Sequence, residues 1–286
     1  MSVSVPGKDR DVGYCLGKFW LLLPSIITTL IRFTLIVIII IQHFPTLQLT
    51  TLHRLKMDLK TPEMEALLSF ENFRLATSFD NQAQAALLRP NPRLEQCLAN
   101  STAKGLPPIS VLPMAGQHLS ILAQLIGAKS ILEVGTLGGY SSIVFAEAGA
   151  KVTSIEINPK HRDVALENVK GLDAEVLLGA ALDVLPKLAE EGKQFDMVFI
   201  DAAFEDQWEH FNWAVKLTRP NGCIFLDDVI PTMIQNGQTK EGGETILTKI
   251  GRDERVQATL MPTVACHSMI PTPVFTGFVL AVVKGH

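Results

Sequence analysis

Five acidic residues in this 286-residue chain stand where carboxylates can converge: Glu133, Glu156, Asp201 and the adjacent pair Asp227 and Asp228. Each lies within or directly after a short apolar run. The first run opens a glycine turn, ILEVGTLGGYSS from Ile131 to Ser142, containing Gly135, Gly138 and Gly139. Such a turn between strand and helix brings backbone amides against a ligand, and a dinucleotide site would space its glycines G-x-G-x-x-G. Here the spacing is G-x-x-G-G, and Glu133 precedes the first glycine by two residues, where a carboxylate repels a pyrophosphate. Glu156 follows the turn by about twenty residues, the place of an acid that takes the ribose hydroxyls of an adenosine cofactor. Acid on both sides of the turn suits an adenosine cofactor that carries a sulfonium and no phosphate, S-adenosylmethionine. Taken alone, Glu133 could equally be a helix-capping or solvated acid.

Asp201, Asp227 and Asp228 pose a second question. Three carboxylates at neighbouring strand ends cannot crowd together without a counter-charge. Hard oxygen donors with room for water suit a divalent cation, magnesium first, with calcium or manganese as alternatives. Alternatively, each aspartate caps the helix or turn that follows it. His161 and His210 fall on helical segments and read as solvated. Trp208 and Trp213 read as packing residues that could border a pocket.

The elements that must position these acids follow from periodicity. Apolar runs at 131–134, 151–157, 174–178, 195–200 and 223–226 read as buried strands. Helical stretches separate them, including PKHRDVALENV and DQWEHFNWAVKL, and such alternation implies a parallel sheet covered on both faces. Two last runs, VQATLMP and FTGFVLAVVK, have no helix between them and should pair as an antiparallel hairpin at the sheet edge. The expected fold is α/β: a Rossmann-like, doubly wound, mostly parallel sheet of seven strands with a C-terminal hairpin. In such sheets ligands bind beyond the C-terminal strand ends near the topological switch, where the acids stand. Upstream, periodicity predicts helices over 62–78 and 81–88, a Pro/Asn-rich loop at 90–92, and an amphipathic helix in MAGQHLSILAQLIGA.

A net charge of −4 and no basic stripe argue against nucleic acid as a partner. Cys15, Cys97, Cys223 and Cys266 lack metal-site or disulfide-framework spacing, which suits a reducing compartment. The mean hydropathy, +0.25, is raised by residues 19–41, FWLLLPSIITTLIRFTLIVIIII. About 20 apolar residues cross a bilayer core, and the sixteen Leu, Ile, Val or Phe here outweigh the cost of Arg32. A leader over 1–56 with an N-terminal transmembrane helix at 19–41 is therefore expected, followed by a catalytic domain over 57–286. The location that follows is a single-pass membrane anchor with the domain facing the cytosol, or cytoplasmic if translation starts at Met57.

From about Met57 the chain resembles the cation-dependent O-methyltransferases that include the caffeoyl-CoA and catechol enzymes. MAGQ, LEVGTLGGYSS, VTSIEINP, LLGAALDVLP, FDMVFIDAA and CIFLDDV occur in the family's order. The resemblance implies methyl transfer from S-adenosylmethionine to a phenolic or catechol-type hydroxyl of a small molecule. It implies that Glu133, Gly135 and Ser141 hold the methionine end of the cofactor, Glu156 the ribose and Ala180 the adenine edge, with Gly139 and Asp201 also binding the cofactor. Asp201, Asp227 and Asp228 would then bind the cation, with Asp201 central to catalysis, and a homodimer is an open expectation. Two departures stand out. Where the family carries a lysine base, three residues past the strand-four aspartate, this chain has Phe204; and no Asp or Glu follows Glu254 to hold a second hydroxyl. With no base assigned, a cation that lowers the pKa of the hydroxyl is left to carry the deprotonation.

Overall fold

A computed structural model describes residues 75–238, 242–266 and 273–285. Three helices come first: α1 (Ala76–Leu87), α2 (Pro92–Ala103) and α3 (Pro113–Leu125). Then β1 (Ser130–Val134), β2 (Lys151–Glu156), β3 (Ala174–Leu178), β4 (Phe195–Ile200) and β5 (Thr218–Leu226) alternate with α4 (Tyr140–Glu147), α5 (Pro159–Asn168), α6 (Ala181–Glu190) and α7 (Gln207–Leu217). A single 3-10 turn, Phe204–Asp206, leads into α7. Last come α8 (Val229–Gln235), α9 (Ile246–Arg252), β6 (Val256–Ala265) and β7 (Val274–Val283).

The sheet is mixed, in the order β3-β2-β1-β4-β5-β7-β6. Strands β1 to β5 run parallel, while β7 is antiparallel to both β5 and β6. From β1 the chain works outward to β2 and β3, then returns to lay β4 on the other side of β1. The crevice beyond the ends of β1 and β4 is therefore the topological switch where an open α/β sheet takes its ligand.

Side chains alternate across the sheet with the two-residue period of a strand. One face carries Leu132, Val134, Val198, Ile200 and Ile224 against Leu185 of α6, Phe211 and Leu217 of α7, and Ile246 and Ile250 of α9. The other carries Ile131, Val152, Met197, Phe199 and Phe225 against Leu119 of α3, Ile143 and Phe145 of α4, and Ala165 of α5. Glu133 belongs to this second face, amid apolar neighbours.

No helix among the described residues is long and apolar enough to cross a membrane. The longest, α3, has 13 residues, about 20 Å at ~1.5 Å per residue against a bilayer core of about 30 Å. This corrects the expected transmembrane helix as part of the fold, and the anchored location deduced from it is not supported. Residues 19–41, like the rest of the 1–56 leader and the 62–74 part of the helix expected over 62–78, lie outside the described residues. So do 267–272 of the loop joining β6 to β7.

Helix α2 fills a stretch that the sequence reading left without structure. Its N-cap Asn91 accepts from the backbone N–H groups of Arg93 and Leu94 at 3.1 Å each, with Pro92 in the first turn. The helix grips the glycine turn from behind. Cys97 Sγ at 3.3 Å and Asn168 Nδ2 of α5 at 2.8 Å both donate to the carbonyl of Gly138. A Cβ on Gly138 would meet Ser101 Oγ of α2 at 2.2 Å.

Candidate active site

The turn after β1 is shaped by left-handed backbone at Gly135 (φ +95°), Leu137 (φ 50°) and Gly139 (φ +84°). Gly135 donates to the carbonyl of Ile155, and Asp201 N–H donates to the carbonyl of Val134 at 2.9 Å, which fastens the turn between β2 and β4. Gly139 is the N-cap of α4.

Glu156 ends β2 and reaches under this turn. Its Oε2 accepts from the N–H groups of Thr136 at 3.2 Å and Leu137 at 2.8 Å, and its Oε1 from Asn158 N–H at 2.8 Å. A carboxylate has about four acceptor positions, so room remains for a ligand hydroxyl. His161 Nδ1 lies 3.7 Å from Oε1.

Glu133 is neither a cap nor solvated. It is 0 % exposed, its Oε2 accepts from the hydroxyls of Ser142 and Ser154, and its Oε1 is buried without a partner among the described residues. Burial raises its pKa, and the hydroxyls of Ser141, Ser142 and Ser154 oppose that only in part.

A cleft of about 700 Å³ opens at the switch point. Gly135, Ser141, Glu156, Ala180, Asp201 and Asp228 all line it. Glu133, Gly139 and Asp227 lie outside its lining. A second cavity, of about 810 Å³, lies among α1, α2, α3 and α4. It touches none of the strand-end acids, so its larger size does not move the chemistry there.

Asp201, Asp227 and Asp228 sit directly after β4 and β5, each half-buried. Burial first, then the charges of Asp227, Asp228 and Glu133, holds the Asp201 carboxyl well above the usual carboxylate range. Burial and Asp228 push Asp227 up to about 7. No lysine or arginine among the described residues lines the cleft. Asp228 occupies the N-cap of α8 at φ 52° without a side-chain capping bond, which disposes of the capping alternative there. Its Oδ1 accepts from Thr276 Oγ1 at 2.8 Å, and Asp227 Oδ1 accepts from Asp228 N–H. Among the described residues no group of three or more His, Cys, Asp and Glu is assembled to hold a metal ion. The donor chemistry nevertheless suits a hard cation: three carboxylates follow adjacent strand ends, two of them with raised pKa, and no lysine or arginine among the described residues lines the cleft to neutralise them.

Those raised values set a pH dependence. Carboxyls whose pKa is raised by folding favour the native state in their protonated form. That stability is complete below about pH 4 and is lost as pH rises through the raised values, about 7 for Asp227. In the ligand-free protein the melting temperature is expected to fall between about pH 5 and pH 8. A melting temperature that climbs across that interval, by differential scanning fluorimetry, would contradict the repulsion.

His210 is where the sequence reading misplaced a residue. It is 4 % exposed rather than solvated, it lines the cleft, and its Nδ1 is buried with no partner among the described residues. The signal was present, since Gln207, His210, Phe211 and Ala214 follow the i, i+3, i+4, i+7 spacing of a buried helix face and all are buried. Trp208 and Trp213 are packing residues against the core and do not line the cleft.

The O-methyltransferase family model matches residues 87–266. The O-methyltransferase imqG of Aspergillus flavus is 38% identical over 215 residues, covering 68% of this chain and 85% of that protein. A catechol O-methyltransferase of Niastella koreensis is 39% identical over 199 residues, covering 65% and 87%. Among solved structures, an O-methyltransferase from Bacillus cereus in complex with SAH superposes with a TM-score of 0.67 at 34% identity, covering 74% of this chain and 100% of its own. The O-methyltransferase TomG from Streptomyces achromogenes, in complex with SAM, superposes at 0.64 with 30% identity, covering 75% and 98%.

Proposed function

The chain belongs to the O-methyltransferase family and is an S-adenosylmethionine-dependent enzyme, and we propose that its acceptor is one hydroxyl of a vicinal pair on a small phenol, methylated with the help of a divalent cation. The observation that carries this reading is the acid rim. Asp201, Asp227 and Asp228 follow the adjacent strands β4 and β5, neighbouring charge adds to burial in raising the carboxyls of Asp201 and Asp227, and no lysine or arginine among the described residues lines the cleft. A relative named as a catechol O-methyltransferase, 39% identical, supports the acceptor class.

Each wall of the cleft has a part. Glu156 orders the amides of the glycine turn and keeps acceptor capacity for the ribose hydroxyls. Ser141 and Gly135 offer close polar contact to the methionine portion, and Ala180 borders the adenine. The acid rim favours the positively charged sulfonium donor over a phosphate-bearing cofactor. Phe204, half-buried in the lining, presents an apolar wall to the aromatic acceptor and excludes water. Holding the two reactants side by side removes the entropic cost of their encounter. A divalent cation, when bound by Asp201, Asp227 and Asp228, supplies positive charge that stabilises the developing phenolate.

The test is methyl transfer from labelled S-adenosylmethionine to a catechol panel with magnesium or with EDTA. Undiminished activity in EDTA would leave an O-methyltransferase without the cation, and inactivity on the whole panel would remove the acceptor class. Cofactor binding has its own check. Glu156→Ala is expected to weaken the calorimetric affinity for S-adenosylhomocysteine by about 1.5–3 kcal/mol, or about 10- to 150-fold, the range for a lost hydrogen bond to a charged group. An unchanged Kd would take Glu156 out of the ribose contact.

A further inference from the structure

Methyl transfer to a hydroxyl needs a proton acceptor, and the cleft holds several acid–base side chains to choose from. Glu156 already accepts three backbone N–H bonds. Asp201 and Asp228 belong to the rim assigned above to a cation. Glu205 and Asp206 are exposed to water, and His161 stands 3.7 Å from Glu156, after β2.

His210 differs from all of these. It lies on the first turn of α7, the helix that follows the Asp201 loop, and that turn is anchored to the acid rim because Gln207 Nε2 donates to the carbonyl of Asp227 at 3.0 Å. Its imidazole is nine-tenths covered and lines the cleft, yet Nδ1 has no hydrogen-bond partner among the described residues. A buried polar atom left unpaired costs about 1–3 kcal/mol, and a native fold that keeps one calls for a reason such as catalysis.

Resting on the acceptor reading above, we propose that His210 is the general base of this enzyme, taking the proton of the substrate hydroxyl as its oxygen accepts the methyl group. The step balances. The O–H bond breaks and its proton passes to the neutral imidazole; the freed oxygen lone pair forms the O–CH3 bond; the C–S bond breaks and its electron pair stays on sulfur. The sulfonium becomes a neutral thioether, and the imidazolium returns its proton to solvent after the ether leaves.

The imidazole begins neutral because burial holds its pKa below the usual histidine range. Asp206 on the 3-10 turn and Glu209 on α7 itself oppose this in part. Other elements packed against α7, namely α6, β4, β5 and α9, contribute no charge that acts on it. The base is therefore competent above its lowered pKa, and the rate should rise with pH on a limb below about 6.5.

The experiment compares the parent and His210→Gln with the catechol panel at saturating S-adenosylmethionine and magnesium. Expected is a fall in kcat of about 10²- to 10⁴-fold, a KM within a few-fold, unchanged S-adenosylhomocysteine affinity by calorimetry, and loss of the acid limb. A His210→Gln enzyme with parental kcat and the same limb would overturn the base while leaving the O-methyltransferase reading intact. A parent inert on the whole panel would overturn both. A nitrogen-15 NMR titration of the parent gives an answer even if the variant does not fold. The His210 ring signals are expected to shift when a catechol joins the S-adenosylhomocysteine complex, and signals that ignore the catechol would overturn the proposal.

Discussion

Replacing Asp201 with alanine is expected to cut methyl transfer by about 10³-fold or more while leaving the melting temperature unchanged or higher. Both halves follow from one position. Asp201 begins the loop after β4, and its carboxyl is raised by burial and by the charges of Asp227, Asp228 and Glu133. Removing one of several mutually repelling acids relieves the rest, so the fold does not suffer. The proposed cation, however, loses a hard oxygen donor. Charge stabilisation of a developing oxyanion is worth several kcal/mol, and each 1.4 kcal/mol is about tenfold in rate. The measurements are kcat/KM with labelled donor, thermal melting, and manganese binding by calorimetry on Asp201→Ala and Asp201→Asn. Undiminished manganese binding or parental turnover would take Asp201 out of the site.

Gly135→Ala is expected to damage the fold itself. The residue sits at φ +95°, and a Cβ there would stand 1.9 Å from the carbonyl oxygen of Asp201 and 2.8 Å from its carbon. Neither atom is the end of a flexible side chain, so the backbone of the β4 loop must move. Left-handed strain costs about 1–3 kcal/mol and forced overpacking about 1–3 kcal/mol more. For a domain of this size the melting temperature should drop on the order of 10 °C, and cofactor affinity should fall with it because the displaced segment carries Asp201. A variant that melts with the parent would show that the turn and the loop have room for a Cβ between them.

The parallel core was legible because a strand buried on both faces reads as an unbroken apolar run. Phe195–Ile200 and Ala174–Leu178 coincide with their runs residue for residue. The start of β5 was not legible. The expected run began at Cys223, yet the strand starts at Thr218 and runs through Arg219, Pro220, Asn221 and Gly222, with Asn221 at φ 60° and a register shift against β4 between Phe195 and Met197. Helix α2 escaped because it buries only Cys97 and Ser101, too little for an apolar stripe, and its signals were confined to the start, Asn91 as cap with Pro92 and Glu95 in the first turn. The expected break near residues 79–80 is absent, since α1 runs unbroken from Ala76 to Leu87. Of the candidate site, the acids were visible by type and by position at strand ends. What could not be read was which of them turn inward. Glu133 is sealed among serines, Glu156 holds a turn, and His210 swings into the cleft through a helix phase that periodicity could have revealed.

The grip of α2 on the carbonyl of Gly138 bears on how much chain the catalytic unit needs. Cys97 lies 41 residues before Gly138 in sequence, and closing a loop of that length costs about 3 kcal/mol of chain entropy. The bond from the Cys97 thiol, a weak donor, offsets only a small part of it, and the apolar contacts around Cys97 and Leu94 supply the rest. The glycine turn is thus held by two distant stretches, one translated well ahead of the other. Cutting the chain at Ser130, where the sheet begins, would leave the turn its glycines and strip away the partner that holds them in place.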